Sequence, residues 1–384
     1  MNNLLKLKVY PNSGLSFDQN MSLTEIIIQK IHQQGPISFH DFMENALYWP
    51  GLGYYNSEKE KIGKEGDYYT SPGVSPVFGE MIGKQLEEMY NIIGEKKFTV
   101  VEMGAGTGFL SCDVLIHLKK NQELYNSLDY HIIEKSPSLR KEQKKRLEDN
   151  VTWHESIDEI KGITGCIFSN ELVDAFPVHQ AVMQEELMEV FVDYDTRFIE
   201  VLKPASKELE DYLAELEVVL PEGFRAEINL DATRWLQSVA LSLEKGFLIT
   251  IDYGYPSFEL YREYRNRGTL MCYYRHTSNE DPYQHIGDQD ITSHVNFSSL
   301  VNRGRKYGLD PCGFTDQAHF LYGLGIEDSL KELEKKDPAD YQKKMLQVKS
   351  LLMEMGETFK ILIQKKGLEC KELSGLKYPS RWII

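Results

Sequence analysis

The sequence predicts an α/β fold in which helices cover both faces of a mostly parallel sheet. Short apolar runs typical of buried strands alternate with segments of helical periodicity between residues 98 and 252. Parallel strands need crossover connections, and the intervening helices supply them. A glycine-rich turn follows the first of these strands directly, at the sheet edge where open α/β sheets bind ligands. Together these features predict a Rossmann-like architecture.

The individual elements are assigned from hydrophobic spacing and from turn residues. Strands are predicted at 98–103, 130–134, 165–169 and 247–252, with a final edge strand at 359–364. Helices are predicted at 24–33, 38–48, 76–90, 108–119, 138–147, 225–243, 298–307 and 341–355. Alternating apolar residues around turns predict an inserted antiparallel β region within 178–202.

The chain divides into three predicted parts. Residues 1–90 form an extension of helices and a covering loop, and 91–366 form the main domain, with insertions at about 178–225 and 255–355. Residues 367–384 form a C-terminal tail. The stretch 49–76 is rich in glycine, proline and tyrosine, and so long a loop is usually either functional or disordered. Its aromatic residues argue against disorder.

Composition and charge limit the possible functions. The 384 residues carry a formal net charge of -16, which argues against nonspecific nucleic-acid binding and would attract a cationic substrate. The five cysteines lack zinc-site spacing, so no metal is implied. No apolar run approaches the length of a membrane span and no targeting segment is recognisable. We therefore expect a cytoplasmic protein without membrane insertion.

The glycine turn identifies the expected cofactor. Gly104, Ala105, Gly106 and Gly108 belong to GAGTG, where glycines allow a tight turn and let a ligand approach the backbone. Dinucleotide sites also use glycine turns, but Glu102, two residues earlier, would repel a pyrophosphate. The same carboxylate suits the ammonium and sulfonium of S-adenosylmethionine (SAM). The G-x-G-x-G spacing also differs from G-x-G-x-x-G, so the sequence favours SAM.

Glu134 is the predicted partner of the cofactor ribose. It ends the second predicted strand, 26 residues after Gly108. A carboxylate at this position can accept hydrogen bonds from both ribose hydroxyls, in SAM and NAD enzymes alike. The alternative is an exposed charge at a strand end. The nearby glycine turn favours the ribose role.

Long motifs along nearly the whole chain resemble the MidA family of SAM-dependent methyltransferases, relatives of a mitochondrial complex I assembly factor. The matching segments are GPISFHDFMENALYWPGLGYY (35–55), GDYYTSPGVSPVFGE (66–80), VEMGAGTG (101–108), NELVDAFPVH (170–179), IDYG (251–254), GTLMCYYRH (268–276), DITSHVNFSSL (290–300) and HFLYGLGI (319–326). GAGTG replaces the family's more usual GPGRG but keeps all three glycines. The resemblance implies a class I methyltransferase fold with a seven-stranded sheet. Because the mitochondrial relative symmetrically dimethylates an arginine of a complex I subunit, it also implies arginine N-methylation of a protein.

The segment NELVDAFP supplies the predicted catalytic residues. It follows the strand at 165–169, at the sheet edge where ligands bind. A guanidinium is a cation of very high pKa, so carboxylates must orient it and localise its charge. Glu171 is the first candidate for this role and Asp174 the second, while Asn170 is a candidate for bonding cofactor or substrate. Alternatively, Asp174 caps the next segment and Asn170 satisfies backbone groups.

Further candidates lie in GDYYTSP and at the neighbouring sheet edge. Thr70 and Ser71 are predicted to contact SAM from a covering segment that excludes water. Tyr68, Glu80 and Asp252 are candidate substrate contacts. The alternatives are a surface loop with buried rings, a solvated helix charge and a turn cap, respectively.

The sequence leaves three functions open. The leading one is a protein arginine methyltransferase. The others are methylation of a small molecule or another protein side chain, and a SAM-binding assembly factor that acts mainly through partner binding. Amphipathic helices near both termini also allow a homodimer.

Overall fold

The computed structural model describes residues 8–9, 16–17, 21–57, 75–147, 150–369 and 372–378. Its strands are, in chain order, β1 (Lys8–Val9), β2 (Ser16–Phe17), β3 (Ile37–Ser38), β4 (Phe98–Met103), β5 (Leu128–Ile133), β6 (Val151–His154), β7 (Ile163–Asn170), β8 (His179–Met183), β9 (Leu187–Tyr194), β10 (Phe198–Pro204), β11 (Arg225–Ile228), β12 (Leu243–Tyr255), β13 (Met271–Tyr274), β14 (Thr277–Asn279), β15 (Asp290–Thr292), β16 (Val295–Asn296), β17 (Asp310–Asp316) and β18 (Phe359–Lys366).

The α-helices are, in the same order, α1 (Leu23–Gln34), α2 (Phe39–Tyr48), α3 (Pro76–Ile93), α4 (Phe109–Leu118), α5 (Gln122–Ser127), α6 (Pro137–Arg146), α7 (Lys207–Glu215), α8 (Leu230–Ser242), α9 (Ser257–Leu260), α10 (Phe297–Lys306), α11 (Gln317–Gly323), α12 (Ile326–Lys336) and α13 (Pro338–Lys349). A π-helical turn, Ser350–Glu354, follows α13. None of the described helices is both long enough and apolar enough to span a membrane.

The central sheet has the strand order β17-β18-β12-β7-β4-β5-β6, and the short β16 adds a parallel pairing to β12. The strands from β12 to β6 run parallel, while β18 is antiparallel to both of its neighbours. β7 and β12 are nearly continuous buried runs because helices cover both faces of the sheet. The predicted Rossmann-like, mostly parallel sheet of seven main strands is confirmed.

The two faces of the central sheet bury separate cores. On one face α3 and α4 pack against the sheet, with Phe78, Ile82 and Val114 among the fully buried residues. On the other face α8 and α10 pack against it through residues such as Leu236 and Phe297. The amphipathic spacing of these helices directs one apolar side of each toward the sheet.

The predicted antiparallel insertion is confirmed as a second sheet. Its strand order is β10-β9-β8-β11, and β3 pairs with β9 through Ile37 opposite Val192. Helices α1 and α2 bury their apolar sides in a shared core with this sheet, including Phe42 and Val190. The N-terminal helices are therefore packed on the insertion. A third, small sheet has the order β14-β13-β15.

Three sequence assignments need correction. The predicted edge strand β18 lies inside the sheet, because β17, with the polar sequence DPCGFTD, pairs with its outer side. The first residues of the helix predicted at 225–243 form β11, which is paired to β8. The four-residue β6 was not predicted, being short and partly exposed. The domain boundaries proposed at residues 90 and 366 stay predictions.

Candidate active site

A cavity of about 710 Å³ opens where the carboxyl ends of β4, β5, β6 and β7 meet. Its wall combines the glycine turn, the segments that follow β5, β6 and β7, the end of α2 and one side of α8. Ligands of open α/β sheets bind at this edge because the strand ends and helix N-termini converge there. The cavity is therefore the candidate active site.

The glycine turn exposes backbone to the cavity. Gly104, Gly106 and Gly108 have φ values of 70°, 53° and 81°, in the left-handed region that residues other than glycine rarely adopt. A Cβ atom on Gly104 would lie 2.8 Å from Cδ1 of Leu172. Ala105 lines the cavity between two of these glycines. The turn thus requires glycine both for its conformation and for its close packing.

Glu102 lies beneath this turn and lines the cavity while being almost fully buried. Its Oε2 atom accepts hydrogen bonds from Ser111 Oγ and Tyr130 Oη, each at 2.6 Å. Burial raises the pKa of Glu102 to about 7, although both hydrogen bonds oppose that shift. A cation bound in the cavity would favour the ionised carboxylate.

Glu134 is buried at the end of β5, with 7% of its surface exposed, and it lines the cavity. Its Oε1 atom accepts the N–H of Ser136 at 2.9 Å, and Oε2 accepts Nε2 of Gln143 at 3.1 Å. Burial raises its pKa despite these donors. This placement fits the predicted ribose role better than an exposed strand-end charge.

The turn after β7 places Asn170 and Glu171 on the cavity wall. Glu171 has a φ of 50°, which is unusual for a residue other than glycine and is typical of strained functional positions. Its N–H donates to the carbonyl of Ile251 at 3.0 Å, and Asn170 Nδ2 donates to its Oε1 at 3.1 Å. These bonds hold the carboxylate at the sheet edge.

Asp252 anchors the same turn from β12. Its Oδ2 atom accepts three consecutive backbone N–H groups, those of Leu172 (3.3 Å), Val173 (2.9 Å) and Asp174 (3.3 Å). Burial, followed by the charge of Asp174, raises the pKa of Asp252 well above its usual range. Asp252 is fully buried and is absent from the cavity wall. Its contacts match the turn-capping alternative, and the predicted substrate contact is not among them.

Asp174 is buried behind the cavity wall. Its Oδ2 atom accepts a hydrogen bond from Tyr253 Oη, and burial raises its pKa to about 6. Oδ1 of Asp174 and Oδ1 of Asn170 are both buried and have no hydrogen-bond partner among the described residues. Buried acceptors are normally paired, so each of these two oxygens can accept a further hydrogen bond.

Comparison with known proteins agrees with this geometry. The model of a family of S-adenosyl-L-methionine-dependent methyltransferases matches residues 81–315, a range that includes the glycine turn, Glu134, NELVDAFP and Asp252. The chain belongs to this family. The fold and the family together make it a class I SAM-dependent methyltransferase of the MidA type.

Several curated relatives cover nearly the whole methyltransferase. The protein arginine methyltransferase NDUFAF7 of Bos taurus is 28% identical over 395 residues, covering 92% of this chain and 86% of the relative. The NDUFAF7 homolog of Drosophila melanogaster is 27% identical, covering 93% and 87%. Both are named as mitochondrial. The cytoplasmic location expected for this chain stays a prediction.

Two solved structures from Burkholderia thailandensis share the fold of this methyltransferase. One, described as a methyl transferase, was crystallised with S-adenosyl-homocysteine; it has a TM-score of 0.86 and 32% sequence identity and covers 94% of this chain and 95% of its own. The other, a native structure, has a TM-score of 0.83 and the same identity and coverage. These similarities confirm SAM as the cofactor of this methyltransferase.

The residues around the cavity fit SAM. The left-handed glycines leave room for a ligand against the backbone, and Glu134 lines the cavity with a carboxylate that can accept hydrogen bonds from hydroxyls. The ribose role of Glu134 and the contact of the methionyl portion with the backbone around Gly104 and Gly106, near Glu102, stay predictions.

Some cavity residues were missed by sequence reasoning. After β6, the wall includes Glu155, Ser156, Ile157 and Asp158. A signal for them exists, because Ser156 and Glu159 form a capping box directly after the run VTWH. From the N-terminal part, the wall includes Glu44, Tyr48 and Tyr55, within the motif at 35–55, and Asn56 directly after it.

The two wall tyrosines connect the N-terminal part to the rest of the site. Tyr48 Oη donates to the carbonyl of Ala175 at 2.8 Å, and Tyr55 Oη donates to Asp290 Oδ1 at 2.9 Å. Their rings are stacked, with centroids 5.4 Å apart. They thereby tie the end of α2 to the NELVDAFP turn and to β15.

The remaining predicted site residues lie elsewhere. Glu80 is on α3, where its Oε1 atom accepts a hydrogen bond from Ser329 Oγ at 3.1 Å, and it is not part of the cavity wall. Its contacts match a partly solvated helix charge. Tyr68, Thr70 and Ser71 lie outside the described residues.

Proposed function

We propose that this methyltransferase N-methylates an arginine side chain of a protein, with Glu171 orienting the guanidinium. The observation that carries the proposal is the acceptor cluster after β7. There Glu171 is held on the cavity wall in a left-handed conformation, beside Asn170, whose buried Oδ1 atom has no hydrogen-bond partner among the described residues. A guanidinium offers five N–H donors and a positive charge, which match such a cluster.

The charge of the cavity wall supports a cationic substrate. Among the described residues of the wall, the acidic ones outnumber the basic ones by seven to two: Glu44, Glu102, Glu134, Glu155, Asp158, Glu171 and Asp231 against Lys135 and Arg234. A concave site lined mainly by one sign of charge concentrates ligands of the opposite sign. The acidic wall therefore favours a guanidinium over an anionic or neutral acceptor.

The chain's own residues would prepare the acceptor nitrogen. When bound, SAM supplies a methyl group activated by its sulfonium leaving group. Glu171 would accept hydrogen bonds from the guanidinium, localise its positive charge on the side facing the carboxylate, and accept the proton that the nitrogen loses. Asn170 holds the Glu171 carboxylate through its Nδ2 atom. Fixing the acceptor in line with the methyl group is the main catalytic requirement.

Asp174 would strengthen the preference for a cation. Burial raises its pKa to about 6, Tyr253 donates to one of its oxygens, and a cation bound nearby would favour its ionised form. Its charge lies behind the wall, three residues after Glu171. The names of the Bos taurus and Drosophila melanogaster relatives, both protein arginine methyltransferases, also support arginine as the acceptor.

The test is methyl transfer by the purified protein to extracts of cells that lack it, with labelled SAM and mass spectrometry of the products. We expect methylarginine, and we expect Glu171→Gln to bind S-adenosylhomocysteine normally while losing at least about 100-fold in transfer rate. Glu185→Gln, on an exposed turn of the insertion, is the matched control. Label on lysine, histidine or a small molecule would refute the arginine acceptor. Normal transfer by Glu171→Gln would refute the role of Glu171.

Partner binding is the second candidate function. Leu346 and Met353, in and after α13, are 73% and 71% exposed, which is typical of contact surfaces. If a strain carrying Glu171→Gln keeps full biological activity, assembly through this or another surface is the main role. Homodimer formation stays a prediction.

A further inference from the structure

Gln143 differs from the rest of its helix. α6 has the sequence PSLRKEQKKR, and Gln143 is its one buried residue, with no exposed surface. Burial of an amide side chain is costly unless its hydrogen-bonding groups are all paired. A buried glutamine on this polar helix therefore indicates a role for the amide group itself.

The contacts of Gln143 fix the orientation of its amide. Trp153 Nε1 donates to Oε1 of Gln143 at 2.9 Å. Because an indole nitrogen can only donate, the amide oxygen must face Trp153 and the amide nitrogen must face the opposite way. There Nε2 donates to the carbonyl of Gly106 at 2.8 Å and to Oε2 of Glu134 at 3.1 Å.

One amide thus joins the glycine turn to Glu134, the two parts of the cavity wall that form its cofactor end. Gly106 lies in the glycine turn with a φ of 53°, and Glu134 is the acceptor at the end of β5. Ser136 and Gln143 each donate to a different oxygen of Glu134, so each oxygen keeps a lone pair for one hydroxyl. Both donors also stabilise the ionised carboxylate against the effect of burial on its pKa.

Neighbouring residues on the same side of α6 act in the same direction. Arg140, three residues earlier, donates from Nε to the carbonyl of Glu134 at 2.6 Å. Arg146, three residues later, donates to the carbonyl of Thr107 in the glycine turn. Positions three apart share a helix face, so α6 presents a row of donors to the cofactor end.

We propose that Gln143 is a positioning residue for SAM, which sets Glu134 and the glycine turn in the relative arrangement that the cofactor needs. Its role is independent of the identity of the methyl acceptor. It is exerted through Glu134 and Gly106, and it depends on the orientation imposed by Trp153.

Calorimetric titration with S-adenosylhomocysteine tests the proposal. Gln143→Met keeps the volume and the helix preference but removes the donors, and we expect its Kd to rise about tenfold or more. Lys141→Met, on the exposed side of α6, is the control and should bind as the unmodified protein does. The double variant with Glu134→Gln should lose less than the sum of the two single losses, because part of the effect of Gln143 passes through that carboxylate.

Three results would overturn the proposal: unchanged binding by folded Gln143→Met, equal loss by Lys141→Met, or fully additive losses in the double variant. If Gln143→Met does not fold, Trp153→Phe provides the same test, because it removes the bond that orients the amide. We then expect a severalfold rise in Kd that is smaller in the Glu134→Gln background. An unchanged Kd in Trp153→Phe would contradict the role of the amide orientation.

Discussion

The two ends of the cavity are built in different ways. The cofactor end, with the glycine turn, Glu134 and the segment after β6, comes from one stretch of chain between residues 98 and 158. The acceptor end combines α2, the turn after β7 and α8, and β12 and β15 support it from behind. Among the described residues, a local stretch of chain thus lines the cofactor end, whereas the acceptor end combines segments that are distant in the sequence.

Hydrogen bonds show the same contrast. Glu102 is held by Ser111 and Tyr130, which lie 9 and 28 residues away. At the acceptor end, Asp174 is held by Tyr253, 79 residues away, and Asp290 by Tyr55, 235 residues away. Changes in distant segments should therefore alter acceptor chemistry more readily than cofactor binding.

The largest expected effect is at the cofactor end. Gly106→Val should raise the Kd for S-adenosylhomocysteine by at least about 100-fold, because a β-branched residue cannot adopt a φ of 53° without strain and its side chain would enter the cavity. Calorimetry measures the loss. Gly223→Val imposes similar strain at a φ of 78° with open space around it, and it should bind normally. Normal affinity in Gly106→Val would show that the cofactor lies elsewhere.

The next largest effect should distinguish the acceptor end of the cavity from the cofactor end. Asp252→Ala leaves three buried N–H groups without their acceptor, so we expect unfolding in urea to require about 2 kcal/mol less free energy. Methyl transfer should fall at least about tenfold, because Glu171 depends on this turn, while cofactor affinity changes little. Asp252→Asn keeps an acceptor oxygen and should lose less. Equal losses in both variants would argue that the charge itself, rather than the turn, is what matters.

Titration of Glu102 should change the affinity for SAM severalfold. Since its pKa is about 7, lowering the pH from about 8 to about 6 protonates it and weakens its attraction for the sulfonium, so SAM affinity should fall. S-adenosylhomocysteine lacks that charge and should respond less. Glu102→Gln should flatten the difference between the two ligands. If the ratio of the SAM and S-adenosylhomocysteine affinities does not change between about pH 8 and about pH 6, Glu102 is not the group that causes the pH dependence.

The stability of the free protein should depend on pH in the opposite direction. Because burial raises the pKa of Glu102 from 4.5 to about 7, the folded state holds its proton more tightly than the unfolded state does. This stabilisation is complete below about pH 4.5 and is lost as the pH rises through about 7. Comparing urea midpoints of the unmodified protein and Glu102→Gln isolates this contribution.

The smallest expected effect is at the mouth of the acceptor end. Glu44 is exposed on the wall, so Glu44→Gln should raise the KM for a basic protein substrate about twofold with kcat unchanged. Salt should diminish the difference, which initial rates at two ionic strengths would measure. A fall in kcat instead would place Glu44 nearer the reacting group than the structure indicates.

The sequence located the glycine turn and Glu134 at the sheet edge because the signals for them are local. A strand, three glycines and a helix are contiguous, and Glu134 falls at a fixed place after the next strand. The segment after β6 was missed because a four-residue strand has too little pattern to stand out. β17 was missed because DPCGFTD lacks strand character and is stabilised by pairing with β18.

The acceptor end was predicted only in part. Asn170 and Glu171 were found because they follow a recognisable strand, whereas the sequence left Asp252 open between a substrate contact and a turn cap, and its hydrogen bonds match the cap. The bonds from Tyr253 to Asp174 and from Tyr55 to Asp290 join segments far apart in the chain. Such pairings depend on how the sheets pack together, which periodicity does not encode.

The pairing of β3 with β9 has a consequence for shortened forms of the protein. It fixes α2 against the insertion, and His40 Nε2, in a hydrogen bond of 3.0 Å with Asp231, fixes the same helix to α8. A chain started at residue 75 would retain the glycine turn and Glu134 but would lack Tyr48 and Tyr55. It would also lack Thr70 and Ser71, the predicted SAM contacts. Tyr48 and Tyr55 are part of the cavity wall, so we expect such a truncation to reduce methyl transfer more than cofactor binding.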